Sequence, residues 1–345
     1  LNTSNHLALD RRNFLKLAVA GGGSLALAGL SGCTMPLVQL TPVAVGLEEL
    51  AIAGPPAPPS ILLAHLAEQE ALRALVPALS FKVWKNPDEL RADAAANRVH
   101  AAETPSNVAS VLYQRGLPIQ LLNINVWGIL HVLSADPAVS GWETLAGKTI
   151  AIPFKGDMPD LIFRYLAEQN GFTPEEDFEL LYVSAPVEAM QMLLANNAVA
   201  AVLTDPAATG AEIQGAQAGQ PVRRILDLQE EWGKATGRAP RIPQAGLFIT
   251  RALAEEHRTV VEAIQNGMQA ALDWTQENPA AAAELGAQHL GLQAPLIERA
   301  LPNIKMEIVP AADARADLEF FFSKLAEMSP DLIGGALPDD GFYFA

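Results

Sequence analysis

Trp142-Glu143-Thr144-Leu145-Ala146-Gly147-Lys148-Thr149-Ile150-Ala151-Ile152-Pro153-Phe154-Lys155-Gly156-Asp157-Met158-Pro159 reads as a short helix, a strand and a loop in succession. Residues 142–148 form a brief helical turn closed by Gly147, because glycine takes the left-handed conformation that ends helices. Residues 149–153 are an apolar run of strand length. Residues 154–159 are polar and contain a glycine, and a helical pattern over 160–169 follows. A strand, a polar loop and a helix are the repeating unit of an α/β chain.

The same unit recurs on both sides of this stretch. Toward the N-terminus, strands are expected over 47–53, 80–84, 99–103, 119–125 and 127–134. Helices are expected over 61–75, with Ser60 as N-cap, and over 87–97 and 108–115. Toward the C-terminus, strands are expected over 178–183 and 198–203 around a helix at 186–195. A strand at 245–250 and helices at 260–276, 280–290 and 313–328 complete the chain. The alternation runs twice, with 142–148 as the join. It predicts an α/β fold of mostly parallel sheets in two halves.

Composition sets limits on function. The chain has 345 residues, a single cysteine and a net charge of −16. One cysteine excludes a disulfide framework and clustered thiolate metal sites. The acidity makes nucleic acid and anionic lipid poor partners. The six histidines (His6, His65, His100, His131, His257, His289) show no metal-ligand spacing, so no metal and no cofactor is expected. Nucleophile-elbow, phosphate-loop and zinc-helix motifs are missing, so no catalytic residue is expected.

The N-terminal stretch carries an address. Arg11-Arg12-Asn13-Phe14-Leu15-Lys16 precedes a weakly apolar run and resembles a twin-arginine export signal, although Asp10 stands where that pattern has Ser or Thr. Leu30-Ser31-Gly32-Cys33 resembles the lipobox of bacterial lipoproteins, with Cys33 as the lipid anchor. The apolar run is shorter than the ~20 residues needed to span a bilayer. Export to the outer side of the cytoplasmic membrane, attached only through Cys33, is therefore expected. Residues 1–32 are the signal and 33–45 the tether.

Three further segments carry a family resemblance. Leu145-Ala146-Gly147-Lys148-Thr149-Ile150-Ala151-Ile152 resembles the segment that starts the second lobe in periplasmic substrate-binding proteins of ABC importers. Residues 186–206, ending in Thr204-Asp205-Pro206, resemble their helix, strand and acidic-proline loop. Trp274 through Asn278-Pro279 resembles their helix ending. The receptors for sulfonates, taurine, nitrate and thiamine precursors are the most similar branch. The resemblance implies a two-lobed fold with two hinge crossings. Its lobes would be 46–128 plus 250–312 and 129–249, with 313–345 as a C-terminal helix and tail.

In open α/β sheets ligands sit beyond the carboxyl ends of strands, against helix N-termini. Three such loops are candidates. Thr104, Ser106 and Asn107 form one, read equally well as a ligand contact or a plain helix cap. Lys155, Gly156, Asp157 and Met158 form the second, and Thr204 and Asp205 the third, where Asp205 is also a natural cap. Asn125 and Trp127 lie near the expected first crossing, Trp127 as pocket floor or as core, and Gln244 lies before the second. The resemblance implies a monomeric, non-enzymatic receptor. It would capture a small oxyanion, organosulfur compound or heterocycle and pass it to ABC permease subunits. An enzyme on the same frame, or a sensor domain feeding a membrane kinase, are the other readings.

Overall fold

The computed structural model describes residues 47–345, so the expected signal, Cys33 and the tether lie outside the described residues. Two mixed β-sheets organise the chain. The first contains β1 (Glu49–Gly54), β2 (Ala78–Val83), β3 (Ala101–Pro105), β4 (Ile119–Gly128), β10 (Ala245–Thr250) and β11 (Lys305–Pro310), in the order β11-β4-β10-β3-β1-β2. The second contains β5 (Leu130–Ser134), β6 (Thr149–Pro153), β7 (Glu179–Val183), β8 (Ala200–Thr204) and β9 (Arg223–Asp227), in the order β7-β6-β8-β5-β9.

The α/β class is as expected, but the sheets are not mostly parallel. β1 runs parallel to β2 and β3, and β6 runs parallel to β7 and β8. β10 is antiparallel to β3 and β4, β11 to β4, and β5 to β8 and β9. The antiparallel members include β5 and β10, the strands that follow the two crossings. A strand fed from the other sheet enters at the edge where its neighbours end. Sequence periodicity carries no information on that direction.

Each sheet is covered on both faces. Helix Ser60–Glu68 and helix Arg258–Glu277 cover one face of the first sheet through Leu62, Leu63, Ile264 and Met268. The helices Pro87–Ala95 and Ser106–Gln114 cover the other through Leu90, Val108 and Leu112. Helices Pro186–Leu194 and Ala207–Gln217 lie on one face of the second sheet. Met158–Gln169, Leu228–Thr236 and the long helix Ala311–Met328 share the core of the opposite face. That core continues to Leu121, Ile124 and Trp127 of β4, so it joins both sheets. Burying such side chains contributes about 1.5–3 kcal/mol each before the entropy of ordering is charged against it.

Some expected elements shift. The helix expected over 61–75 is two helices, because Gln69 adopts an extended ψ of 125°. Ser60 lies inside the first turn rather than at its cap, and its hydroxyl donates to the Pro55 carbonyl at 2.5 Å. Trp127 belongs to β4, and the break before β5 falls at Ile129. β10 pairs along its length in the first sheet, so the chain returns to that sheet ahead of Ala245.

The two crossings run side by side. Gln229 clamps the first: its Oε1 accepts from the Ile129 and Leu130 amides at 3.2 Å each, and its Nε2 donates to the Leu130 carbonyl at 3.0 Å. A Cβ on Gly128 would come within 2.5 Å of the Gln229 side chain. The second crossing is stitched to the first where Ile242 N–H donates to Trp127 O (2.8 Å) and Gln244 N–H to Val126 O (3.0 Å).

Candidate functional site

The carboxyl ends of β1, β3 and β4 and the start of β10 lie on one edge of the first sheet, fixed by strand direction and register. This edge carries side chains that the protein does not satisfy. Glu103, Thr104, Asn125 and Gln244 are 1%, 1%, 0% and 3% exposed. Both Glu103 carboxyl oxygens, the Thr104 hydroxyl and both amide atoms of Asn125 and of Gln244 have no hydrogen-bond partner among the described residues. A buried polar group without a partner costs about 1–3 kcal/mol, so four on one edge form a concentration of unmet hydrogen bonding.

Local structure explains their placement. Gly246 pairs with both Thr104 and Ile124, and a Cβ there would lie 2.0 Å from the Asn123 carbonyl oxygen, so only glycine lets β10 approach β4. The register shifts at that point, from Val126 opposite Ala245 to Ile124 opposite Gly246. Asn125 is the extra residue of this bulge, and bulges re-aim side chains at strand ends. Gln244 is held by its backbone, since its carbonyl accepts from the Ser106 amide at 2.9 Å while its N–H is bound to Val126.

Ser106, Asn107 and Trp127 have structural partners. Ser106 Oγ donates to the Pro243 carbonyl at 2.6 Å, which ties the helix start to the second crossing. Asn107 Nδ2 donates to the Leu332 carbonyl at 3.3 Å, while its buried Oδ1 has no hydrogen-bond partner among the described residues. Trp127 is core: its indole N–H donates to Glu307 O at 3.0 Å, and the Arg241 guanidinium lies 4.2 Å above its ring.

The matching edge of the second sheet is occupied by its own bonds. Phe154 and Gly156 have positive φ values of 58° and 78°, which curl the loop after β6. Asp160, buried in the first turn of helix Met158–Gln169, accepts the Gly156 N–H at 2.8 Å and the Tyr182 hydroxyl at 3.1 Å. Burial pushes its carboxyl up, and the Gly156 amide opposes that. Lys155 lies 4.8 Å over the Tyr182 ring, and Met158 is core. Thr204 is half-buried at the end of β8. Asp205, fully buried, bonds Arg224 at 2.8 and 3.2 Å and the Thr209 hydroxyl at 2.6 Å. Arg224 also reaches His131 Nδ1 at 3.0 Å and Glu212 at 3.2 Å. Burial and the Arg224 charge hold the His131 imidazole below its ordinary value.

The two edges meet through side-chain bonds and through packing of helix Ala207–Gln217 against helix Ala294–Ala300. Arg91, on helix Pro87–Ala95, bonds Asp157 at 3.2 Å. Burial raises the Asp157 carboxyl and Arg91 pulls it back. Elsewhere Asn303 Nδ2 donates to Thr209 Oγ1 at 3.2 Å. The structure thus gathers Thr104, Asn125 and Gln244 on one edge and sets Asp157 across from it. Lys155, Gly156, Thr204 and Asp205 lie on the opposite edge. Sequence reasoning passed over Glu103, Gly246 and Asp160. The signal for Glu103 was an acid at the end of the run His100-Ala101-Ala102, where every other inward position is small and apolar.

Two mixed sheets, two adjacent crossings and opposed strand ends define the two-lobed fold of periplasmic binding proteins. The chain matches the NMT1-like family over residues 92–290 and belongs to it. No curated protein matches it in sequence. Among solved structures it is similar to an ABC transporter protein from Parabacteroides distasonis, at TM-score 0.69 and 21% identity over 86% of this chain and 98% of that one. It is also similar to the periplasmic aliphatic sulphonate binding protein of Escherichia coli (TM-score 0.66, 18% identity, 86% and 97% covered). The periplasmic nitrate-binding protein of Synechocystis PCC 6803 aligns at TM-score 0.62 and 13% identity, with 83% and 84% covered.

Proposed function

We propose that this chain is the solute-binding component of an ABC importer, exported and held at the membrane by Cys33. The observation that carries the reading is the set of unpartnered, buried polar side chains on the first sheet's edge, closed over by the second edge through Arg91 and Asp157. The lobes are the two sheets with their helices, and they part at the paired crossings to admit a small molecule. Binding energy goes into closure, and the closed form presents a surface to permease subunits. The names of the structural relatives, which include binding proteins for sulphonate and nitrate, support a small polar solute. No bond is made or broken in this function. No described helix is long and apolar enough to cross a membrane.

Mass spectrometry of solute carried by natively purified protein, with small-angle scattering before and after its removal, tests the reading. A defined small molecule and a smaller radius of gyration in its presence are expected. A preparation that carries no solute and shows no compaction across a broad metabolite panel sinks it. Anchoring has its own test: Cys33→Ser moves the protein from the membrane fraction to the soluble one, and an unchanged distribution rules the lipid anchor out.

A further inference from the structure

A run of polar contacts leads from the outer meeting point of the lobes to the first crossing. It begins on the first sheet's side, where Asn303 Nδ2 donates to Thr209 Oγ1 at 3.2 Å. The Thr209 hydroxyl donates to Asp205 at 2.6 Å, and Asp205 accepts twice from Arg224, at 2.8 and 3.2 Å. Arg224 Nη1 lies 3.0 Å from His131 Nδ1, and His131 Nε2 lies 3.8 Å from Asp227 Oδ2. The other Asp227 oxygen accepts the Gln229 backbone N–H and the Gln229 side-chain amide, both at 2.8 Å. Gln229 in turn holds the Ile129 and Leu130 amides of the crossing at 3.2 Å each.

His131 is the link in this run that can change state. It is the second residue of β5, opposite Asp227 in the register with β9, and is 6% exposed. A guanidinium only donates, so the contact with Arg224 needs the lone pair of Nδ1. The ring is therefore neutral, with its proton on Nε2, the nitrogen beside Asp227. A second proton on Nδ1 sets N–H against N–H and cation against cation in a buried site. The charged groups around the ring are Arg224 and Asp227 of β9, Asp205 after β8, and Glu212 of helix Ala207–Gln217 behind Arg224. Glu230, the acid of helix Leu228–Thr236 next to this crossing, is paired with Lys305. Burial first and Arg224 second hold the ring below its ordinary 6.5, while Asp227, Asp205 and the Ile129 carbonyl oppose them. Asp205 and Glu212 are both engaged by Arg224, so a charged ring turns to Asp227 and draws it from Gln229.

We infer that this run is a relay between the lobe contact at Asn303 and the hinge, with His131 as its pH-sensitive positioning residue. The inference rests on the receptor reading above and deepens it, because it assigns a regulation to closure. With His131 neutral, Asp227 stays on Gln229 and the clamp on Ile129 and Leu130 is set. With His131 protonated, the clamp slackens and the Arg224 end of the relay is released from the ring. The coupling is reciprocal: a proton favours the slack hinge, and the slack hinge takes up a proton more readily. The sign follows from the neutral ring of the clamped form. The clamp is set above an ordinary histidine value of about 6.5 and is lost as the pH falls below it. The bonded edge is thus a rigid wall at neutral pH and a yielding one in acid.

The test is hydrogen exchange, read by mass spectrometry, at the Ile129 and Leu130 amides of the full chain. Rates at pH 5 and pH 8 are divided by the intrinsic rates of the same peptides, so that only protection is compared. In wild type, protection is expected to be about tenfold lower at pH 5, the size of one lost hydrogen bond to a charged group. His131→Asn keeps an acceptor toward Arg224 and takes no proton, so its protection is expected to be equal at both pH values. Asn303→Ala cuts the exposed far end of the relay and is expected to lower hinge protection about threefold at pH 8. Equal protection at both pH values in wild type, the same fall in His131→Asn, or wild-type protection in Asn303→Ala overturns the inference. Thermal melting shows whether His131→Asn is folded; should it not be, the wild-type profile and Asn303→Ala decide the matter together. No solute enters these measurements, so their failure leaves the receptor reading to its own test of carried solute and compaction.

Discussion

The two strand edges use the same kinds of residue to opposite ends. On the second edge, each buried acid has found a partner: Asp205 has Arg224 and Thr209, and Asp160 has the Gly156 amide and Tyr182. On the first edge, Glu103, Thr104, Asn125 and Gln244 are as deeply buried, and their side chains bond nothing among the described residues. The difference separates stiffness from recognition. A bonded edge is a rigid wall that keeps its form whether or not a solute is present. An edge with unmet bonding capacity is one where a solute gains more than water would give it, because the penalty for burying those groups is already built into the fold.

The comparison breaks most visibly if the bonded edge loses a partner. Asp205→Ala leaves Arg224 in a buried setting without its main counter-charge. It is expected to lower unfolding free energy by about 3–5 kcal/mol, the usual loss when one half of a buried ion pair is removed. Urea denaturation measures it, and a loss below 1 kcal/mol means the second edge is not the rigid partner.

The next largest effect has the opposite sign. The Glu103 carboxyl is raised by folding from an ordinary 4.5 to about 8, so the folded state holds a proton that the unfolded state releases. Stability is then undiminished below about pH 4.5 and falls, by at most ~1.4 kcal/mol per pH unit, until the pH passes 8. Glu103→Gln removes that slope and is expected to melt higher than wild type at pH 8 and nearly level with it at pH 5. Parallel melting curves for the two proteins across pH 5–8 contradict the burial argument.

Smaller still are the neutral members. Asn125→Ala and Gln244→Ala delete groups that bond nothing in the protein, so stability is expected to stay within about 1 kcal/mol of wild type while solute affinity drops about tenfold. Titration against the carried solute, beside a denaturation curve, separates the two readouts. A large stability loss with affinity intact places these residues in the scaffold instead. The smallest effect belongs to Arg91→Ala. The pair with Asp157 is partly exposed, and such pairs contribute ~0–1 kcal/mol to stability. The expected signature is a larger mean radius of gyration at subsaturating solute, and scattering curves that superimpose on wild type count against a bridge between the edges.

Much of the architecture was legible from the chain. β6 was expected over the five residues it occupies, and β10 over its six. Both are apolar runs bounded by clear turn chemistry. β9 and helix Leu228–Thr236 were missed, because Arg223-Arg224-Ile225-Leu226-Asp227 is an edge strand with charge at three of five positions and shows no apolar alternation. β11, with Lys305 and Glu307, was missed for the same reason. The candidate site divides likewise. Strand-to-helix loops can be found from order alone, and the three named loops do sit at carboxyl ends of strands. Which atoms remain free depends on partners far away in sequence. Asp205 is satisfied by an arginine 19 residues on, and Ser106 by a carbonyl 137 residues on. Trp127 owes its core role to Glu307, 180 residues away. No local pattern encodes such distances.

The helix Ala311–Met328 has a mechanical consequence. Phe321, Phe322 and Leu325 belong to the same apolar cluster as Trp127 and Ile124 of β4 and as Phe163 and Leu166 under the second sheet. Residues beyond it bind back to the helix after β3, where Ser110 donates to Ile333 O at 2.7 Å. One side of the molecule is thereby glued along its length by the last 35 residues of the chain. Parting the sheets on that side would expose several aromatic rings to water, whereas parting them at Arg91 and Asn303 breaks an ion pair and a hydrogen bond and separates helices Ala207–Gln217 and Ala294–Ala300, which carry no aromatic residue. The gape is therefore one-sided, like a book whose spine is bound by its final pages.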